Sequence, residues 1–366
     1  MKINSINIYN FRNYENLFVN FDENINIFIG KNGSGKTNLL ESIYFLAVTK
    51  SHRAYVEKSL INNNKDVMKI KGKITSLGKT KKLEILMNQK GKIVSINDSP
   101  IRKVSEYISN FNVLLFCPDD LELIKGSPSE RRTFLNLEIG QLDNKYLVYL
   151  NEYNKLIKNR NDYLKKIKPD NYDNKYLEVL NNQIVKNATE IYKYRFLFLE
   201  ALKTNLKTLY YDITKKNIEI KYKNSCDLRE FNSDSVKEIL LNKLSNNIKK
   251  EIFQGNTLYG PHKDDFELYI DDINIREYGS QGQQRLSILC LKLSELGVFK
   301  SIKGEYPILL LDDVFSELDI EKRNKIVKIL NKEVQVFITS TDIKNISRKI
   351  IKDAKIKNAS IDYRQK

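Results

Sequence analysis

The stretch Gly30-Lys31-Asn32-Gly33-Ser34-Gly35-Lys36-Thr37 fits the pattern G-x-x-x-x-G-K-[ST] at each fixed position. The apolar run Ile25-Asn26-Ile27-Phe28-Ile29 enters it as a buried strand would, and Leu39, Leu40, Ile43 and Leu46 recur behind it at helical spacing. Strand, loop and helix therefore stand in the order a phosphate-binding loop requires. Glycines let the backbone turn tightly enough to aim successive N–H groups at phosphate oxygens, and the helix N-terminus adds a partial positive charge. Gly30, Lys31, Asn32, Gly33, Ser34 and Gly35 form the candidate cradle. Lys36 is placed to reach the β- and γ-phosphates of ATP, and Thr37 to set its hydroxyl on Mg²⁺.

A nucleotide loop needs an acid at the end of a neighbouring strand. The run Ile308-Leu309-Leu310-Leu311 ends in Asp312-Asp313, and a parallel strand buried on both faces delivers its last carboxylates to the nucleotide crevice. Asp312 is the candidate Mg²⁺ ligand, directly or through water. Asp313, with Lys36, is the candidate catalytic group, orienting or deprotonating the attacking water. Beyond it Ser316-Glu317-Leu318-Asp319 reads as a helix opening.

Gly279-Ser280-Gln281-Gly282-Gln283-Gln284-Arg285 precedes an apolar helix carrying Leu286, Leu289, Leu293 and Leu296. Ser280, Gly282 and Gln283 would present a hydroxyl and backbone N–H groups at a helix N-terminus, a second anion cradle. One chain needs a single cradle for its own nucleotide. The second is expected to grip the γ-phosphate held by another copy, which gives an ATP-dependent homodimer with two shared sites.

Between these motifs the chain changes character. Residues 2 to 29 read as strands with a turn at Phe11-Arg12-Asn13-Tyr14, residues 66 to 97 as an antiparallel meander turning at Gly78 and at Gln89-Lys90-Gly91, and 112 to 116 as a short buried strand. At Ser127-Pro128-Ser129-Glu130 a capping box opens helical territory. Leu142 to Leu156 and Leu177 to Phe198 have the spacing of an antiparallel hairpin, its seams interrupted by Arg160 and Asn187, with its tyrosines read as core; Val236 to Ile252 reads as a further helix. Strand patterning resumes from Thr257 and recurs at Val334 to Ile338. The expected organisation is a head built from 1–126 and 256–366 with a mainly helical arm, 127–255, inserted.

A net charge of +16 over 366 residues suits a polyanion such as DNA. Lysine far outnumbers arginine and the charge is spread along the chain, which fits a compositional bias equally well. Arg131, Arg132, His262 and Lys263 are open candidates for DNA contact. Cys117, Cys226 and Cys290 form no C-x-x-C pair, and no apolar run approaches a membrane span. The expectation is a soluble cytoplasmic protein with no membrane partner.

A phosphate loop near the N-terminus, an S-x-G-Q signature and a C-terminal Asp-Asp strand end, separated by a helical insertion, resemble the ABC-type ATPase heads of the SMC class. The implied fold is α/β, with an antiparallel meander and a parallel nucleotide-binding core. Phe11 to Tyr14, Lys50 to Arg53, Phe116 to Asp120, Lys125 to Arg132, Tyr259 to Phe266 and Gly279 to Arg285 look more closely like the RecF family. That resemblance implies ATP-dependent dimerisation on single-stranded, gapped or junction DNA. It also implies weak DNA-stimulated ATPase, a part in replication, recombinational repair and the SOS response, and work with RecO and RecR in loading recombinase. Asp313 is one methylene shorter than the usual glutamate, Thr339 to Asp342 replace the usual histidine, and the loop after residue 116 offers no glutamine. These departures suit a slow ATP-gated clamp. The alternative is an ATPase subunit of a transport complex.

Overall fold

In a computed structural model of the protein, residues 1–54, 56–169, 171–314, 320–329, 333–343, 351 and 354–358 are described. The chain divides into two compact units, Met1–Asp120 with Leu289–Lys366, and Leu121–Ile288.

In the first unit β1 (Lys2–Phe11) and β2 (Tyr14–Asn20) make a hairpin whose turn holds Arg12 in the left-handed region at φ 53. After β3 (Ile25–Ile29) and α1 (Lys36–Val48), the meander β4 (Val67–Ser76), β5 (Lys79–Asn88), β6 (Gly91–Ile96) and β7 (Ser99–Ile101) pairs onto β1. The resulting antiparallel sheet has the order β2-β1-β4-β5-β6-β7. Leu77 and Gly78 both take positive φ between the paired Ser76 and Lys79, the backbone a two-residue hairpin turn demands. A turn of helix, α2 (Val104–Tyr107), leads to β8 (Val113–Phe116).

The second unit holds α3 (Glu122–Lys125), α4 (Pro128–Leu142), α5 (Asn144–Leu164), α6 (Asn174–Thr214), β9 (Ile218–Lys223), α7 (Ser233–Asn246) and α8 (Ile248–Gln254). There follow β10 (Asp265–Ile270), β11 (Ile273–Asn274) and α9 (Ile275–Tyr278). Helix α10 (Gln281–Lys303) begins in this unit and ends in the first. The first unit is then completed by β12 (Ile308–Asp312), α11 (Ile320–Ile329), β13 (Val336–Ser340) and β14 (Ala354–Asn358).

Strands β14-β3-β13-β12-β8 form an all-parallel sheet. Its inner strands are buried on both faces, as parallel sheets are, and Phe28 stacks against Phe337 across adjacent strands. Helix α1 is buried over nearly its whole length, and Tyr44, Phe45, Ala47 and Val48 join the four core leucines and isoleucines legible from spacing. The edge strand β14 escaped sequence reading because Lys355 and Lys357 break its apolar pattern; charge on an edge strand discourages further pairing.

Several expectations are corrected. Pro128 does start α4, but the Ser127 side chain makes no cap bond, so no capping box forms. The stretch read as one helix from Val236 to Ile252 breaks at Asn247 into α7 and α8. Residues 257 to 264 form no strand, and β13 ends two residues later than its apolar run implied. The segment Ser316–Asp319 lies outside the described residues.

Helices α5 and α6 pair antiparallel, bringing Tyr163 to Tyr176 at one end and Tyr146 to Tyr194 at the other. Asn187 is half-buried and turns its amide back to the Gln183 carbonyl of its own helix, leaving the seam alone. Arg160 is fully buried and does not merely interrupt packing. It donates to Asn181 on α6 and to Thr257, and pairs with the equally buried Glu251 at 2.7 Å, pinning the hairpin to α8 and the segment after it.

The block Tyr259 to Phe266 is a second polar hub. The buried Asp264 carboxylate accepts from the hydroxyls of Tyr222 (2.6 Å) and Tyr192, the Ser225 amide and the Arg195 guanidinium, which is itself 1% exposed. Burial raises the Asp264 carboxyl above its usual range against the opposing pull of Arg195 and these donors. Tyr222→Phe removes one donor from a buried carboxylate and should lower the unfolding free energy by about 1–2 kcal/mol. An unchanged urea midpoint would count against the hub.

Candidate functional site

The register of the parallel sheet assembles the site. Strand β13 lies between β3 and β12, pairing Ile29 with Ser340 on one side and Thr339 with Asp312 on the other. The phosphate loop and the Asp-Asp pair therefore leave the same C-terminal edge of one sheet, the edge at which open α/β sheets take ligands.

At that edge lies a cavity of about 300 Å³, lined in part by Asn32 to Asn38, Arg53, Asp312, Asp313 and Thr339. Its size is in the range of small-ligand pockets. Gly35 stands at the N-cap of α1 with φ 101 and supplies no side-chain cap, so the first N–H groups of the helix face a ligand unblocked. A Cβ at Gly35 would come within 2.6 Å of the Tyr14 hydroxyl, so sterics and φ both demand glycine there. Lys36 bridges the loop, its Nζ donating to the carbonyls of Gly30 (2.6 Å) and Lys31 (3.0 Å). Burial lowers the Lys36 pKa, and the charges of Asp313 and Asp312 oppose that shift. The buried Ser34 hydroxyl has no partner within the protein, as expected of a donor whose acceptor is a phosphate oxygen.

Thr37 Oγ1 lies 3.1 Å from Asp312 Oδ1. Among the described residues no group of three His, Cys, Asp or Glu could hold a metal alone. Two hard oxygens side by side, with room for phosphate and water oxygens, do fit Mg²⁺, which keeps most of its waters when proteins bind it. Thr339 was seen from sequence only as a missing histidine. Its hydroxyl donates to Asp312 Oδ1 (2.5 Å) and accepts from the Asp313 amide (3.0 Å), so one side chain fixes both acids. Asp313 takes φ 52, a left-handed conformation that non-glycine residues rarely adopt.

The turn Phe11–Tyr14 proves to be the back wall of the loop. Tyr14 donates its hydroxyl to the Gly35 carbonyl, and Asn38 bonds Asn13. Arg12 grips the fully buried Glu41 of α1 through two bonds of 2.9 and 2.7 Å. Burial alone would raise the Glu41 carboxyl, yet the Arg12 fork and the Ser51 hydroxyl overcome it and leave the group below the usual range. Ser51 in turn accepts from the amides of Arg53 and Ala54, which shapes the loop that brings Arg53 to the cavity. His52 is buried edge-on against Tyr44, and that burial depresses its pKa to about 4. Phe11 to Tyr14 and Lys50 to Arg53 are legible as family blocks, but the pairing of Arg12 with Glu41 and of Ser51 with Glu41 is not, because those partners are distant in the chain.

The signature residues Ser280, Gly282 and Gln283 belong to the second unit and are outside the cavity lining. Ser280 and Gln283 cap the N-terminus of α10 reciprocally: the Ser280 amide donates to Gln283 Oε1, and the Gln283 amide to Ser280 Oγ. The segment is solvent-facing, with Tyr278 75% exposed, and a Cβ on Gly282 would meet nothing within 4 Å. Packing within this chain gives no reason for that glycine.

Of the open DNA-contact candidates, Arg131 is committed to a two-bond pair with Asp265 and to the carbonyls of Leu123 and Gly126. Lys263 is exposed. No helix among the described residues is long and apolar enough to cross a membrane.

Comparison with known proteins gives the chain's relatives. Residues 2–359 match a family model described as the RecF/RecN/SMC N terminal domain. The chain is 42% identical over 349 residues to the DNA replication and repair protein RecF of Streptococcus agalactiae serotype Ia, covering 95% of this chain and 93% of that protein. It is 40% identical over 361 residues to the RecF of Ligilactobacillus salivarius, covering 97% and 95%. Among solved structures, the recombination mediator protein RecF-ATP in the RecFOR pathway superposes with a TM-score of 0.89 at 34% identity, covering 94% of this chain and 93% of that one. An SMC head bound to the C-winged helix domain of ScpA, at 15% identity and a TM-score of 0.53 over 94% and 93% of the two chains, shares the fold.

Proposed function

The chain belongs to the RecF/RecN/SMC family, and within it to the RecF DNA replication and repair proteins; on that footing we propose that it is an ATP-gated clamp whose nucleotide-bound dimer holds DNA. Its relatives act in replication and repair by name, so the reading as a transport subunit has no support and is dropped.

The observation that carries the proposal is the division of phosphate-gripping groups. Lys36, Thr37, Asp312 and Asp313 converge on one cavity, whereas a second helix N-terminus, with its own serine and an otherwise unneeded glycine, is exposed outside that lining. In this reading the residues Gly30 to Thr37 hold ATP, and Ser280, Gly282 and Gln283 complete the site of a second copy. Thr37 and Asp312 would hold Mg²⁺, which supplies neutralisation of phosphate charge when bound. Asp313 orients the attacking water and Lys36 steadies the charge that develops at the γ-phosphate. The short reach of Asp313, and the use of Thr339 to brace both acids, suit slow hydrolysis that serves as a release step. We take the helical arm as 127–255, inserted in a head of 1–126 and 256–366; the compact unit that holds the arm runs from Leu121 to Ile288, and Lys36, Thr37, Asp312 and Asp313 all lie in the other. By likeness to the RecF-ATP structure of the RecFOR pathway, RecO and RecR are its partners at single-stranded gaps, and it acts in the cytosol.

A gel-shift assay with a gapped duplex tests this function. In Mg-ATP the protein should bind, and affinity should fall about tenfold or more between ~50 and ~200 mM salt as displaced counterions are restored. Binding that ignores both ATP and salt would refute it.

A further inference from the structure

A second cavity, of about 160 Å³, lies within the Leu121–Ile288 unit, and the nucleotide reading has no use for it. Its chemistry is set by Arg132, Asn136, Tyr153, Asn154, Arg195 and His262, and its lining contains no Asp or Glu. The buried acceptors at its wall are already taken, and Asn154, whose amide offers donor and acceptor alike, is exposed. Asn136 Oδ1 accepts from the Tyr146 hydroxyl (2.6 Å) and from Arg195 Nη2 (3.1 Å). The Pro261 carbonyl accepts from Arg195 Nη1 (2.7 Å). His262 Nε2 lies 3.0 Å from the Thr257 carbonyl, which can only accept, so that nitrogen carries the proton; Nδ1 then accepts from the Tyr153 hydroxyl at 2.6 Å. Burial, which lowers the His262 pKa to about 4, keeps the ring neutral in this arrangement.

What remains is donors and positive charge. The Asn136 amide nitrogen makes no bond within the protein. Arg132 donates once, to the Asp264 carbonyl (2.9 Å), and has no carboxylate partner. Burial chiefly, and then repulsion from the buried Arg195, pull the Arg132 guanidinium below its usual range, against the opposing charges of Asp265 and Asp264. Ser129, in the first turn of the 15-residue α4, also lines the cavity; Pro128 has no N–H and the Glu130 amide donates to the Ser127 carbonyl, so Ser129 is what that turn offers a ligand there.

We propose that this cavity binds a phosphate-class oxyanion, held by Arg132, the Asn136 amide and the N-terminal turn of α4. The oxyanion is either a free phosphate or a backbone phosphate of nucleic acid, and the test separates them. Asn154→Asp sets a carboxylate at an exposed position of the lining where the native side chain makes no bond, so the fold is spared. Asn151→Asp, exposed on the same helix and outside the lining, is the control. Inorganic phosphate is titrated calorimetrically into full-length Lys36→Met, which silences the phosphate loop. A single-stranded oligonucleotide is titrated into otherwise native protein with Mg-ATP.

A free-phosphate site predicts one phosphate per chain, weakened roughly tenfold or more by Asn154→Asp and by Arg132→Gln. A backbone-phosphate site predicts the same loss in oligonucleotide affinity while free phosphate binds weakly or not at all. If Arg132→Gln fails to fold, Asn154→Asp decides alone. The proposal is overturned if neither titration responds to Asn154→Asp, or if Asn151→Asp has an equal effect. The oligonucleotide arm rests on the proposed ATP-gated DNA binding, whereas the phosphate arm, run in Lys36→Met, stands apart from it, so failure of one reading is distinguished from failure of the other.

Discussion

Lys36→Met should bind ATP roughly a hundredfold more weakly than the native protein, with its fold intact. In the structure the ammonium group spans the loop to two carbonyls, Gly30 and Lys31, beside the Asp312 and Asp313 carboxylates. Methionine matches its stem in length and packs as an apolar side chain, so the loop keeps its filler. What disappears is a positive charge with rotatable donors, which a triphosphate cannot replace from the surrounding backbone. Removing one member of a desolvated charge pair costs about 2–5 kcal/mol, and each ~1.4 kcal/mol is tenfold in affinity. Folding should change far less, because the variant loses two hydrogen bonds but no longer buries a cation. Calorimetry with ATP, alongside a thermal unfolding curve, checks both halves. Native affinity in this variant would mean that the loop does not hold the triphosphate through Lys36.

The contrast between what sequence reading found and what it missed follows from the range of the interactions. The loop, its flanking strand and helix, and the Asp312-Asp313 strand end are local patterns, each written in consecutive residues, and the structure brings Thr37 and Asp312 together as that reading required. Thr339 is different. Its value lies in standing beside Asp312 in the sheet register, a fact that follows only once β13 is known to lie between β3 and β12. The same holds for Arg12 and Glu41, 29 residues apart in sequence, and for Arg195 and Asp264, 69 apart. Tyr259 to Phe266 could be recognised as a family block, but its role as a buried hub depends on tyrosines from α6 and β9. The capping box at Ser127 is the converse case: the local pattern marks the start of α4 correctly, yet the serine side chain makes no cap bond. Helix α6 shows the limit of periodicity, running 41 residues where the apolar seam from Leu177 to Phe198 marked only its N-terminal part.

Ser280→Arg is the counterpart of Lys36→Met. Ser280 is exposed, so arginine fits without disturbing the core; the loss of its cap bond to the Gln283 amide costs about 1 kcal/mol of helix stability. A long cation at the centre of a surface meant to close on a partner's nucleotide blocks that closure sterically, while the cavity over Lys36, Thr37 and Asp312 is left unchanged. The two variants thus separate holding the nucleotide from sharing it.

The central claim is that a second copy completes each ATP site, and solution mass measured by light scattering tests it most directly. With saturating Mg-ATP the native chain should move from its 42.9 kDa monomer to twice that mass, whereas Ser280→Arg should bind ATP and stay at 42.9 kDa. A native protein that remains monomeric when saturated with Mg-ATP, or a Ser280→Arg variant that doubles as the native one does, would contradict it.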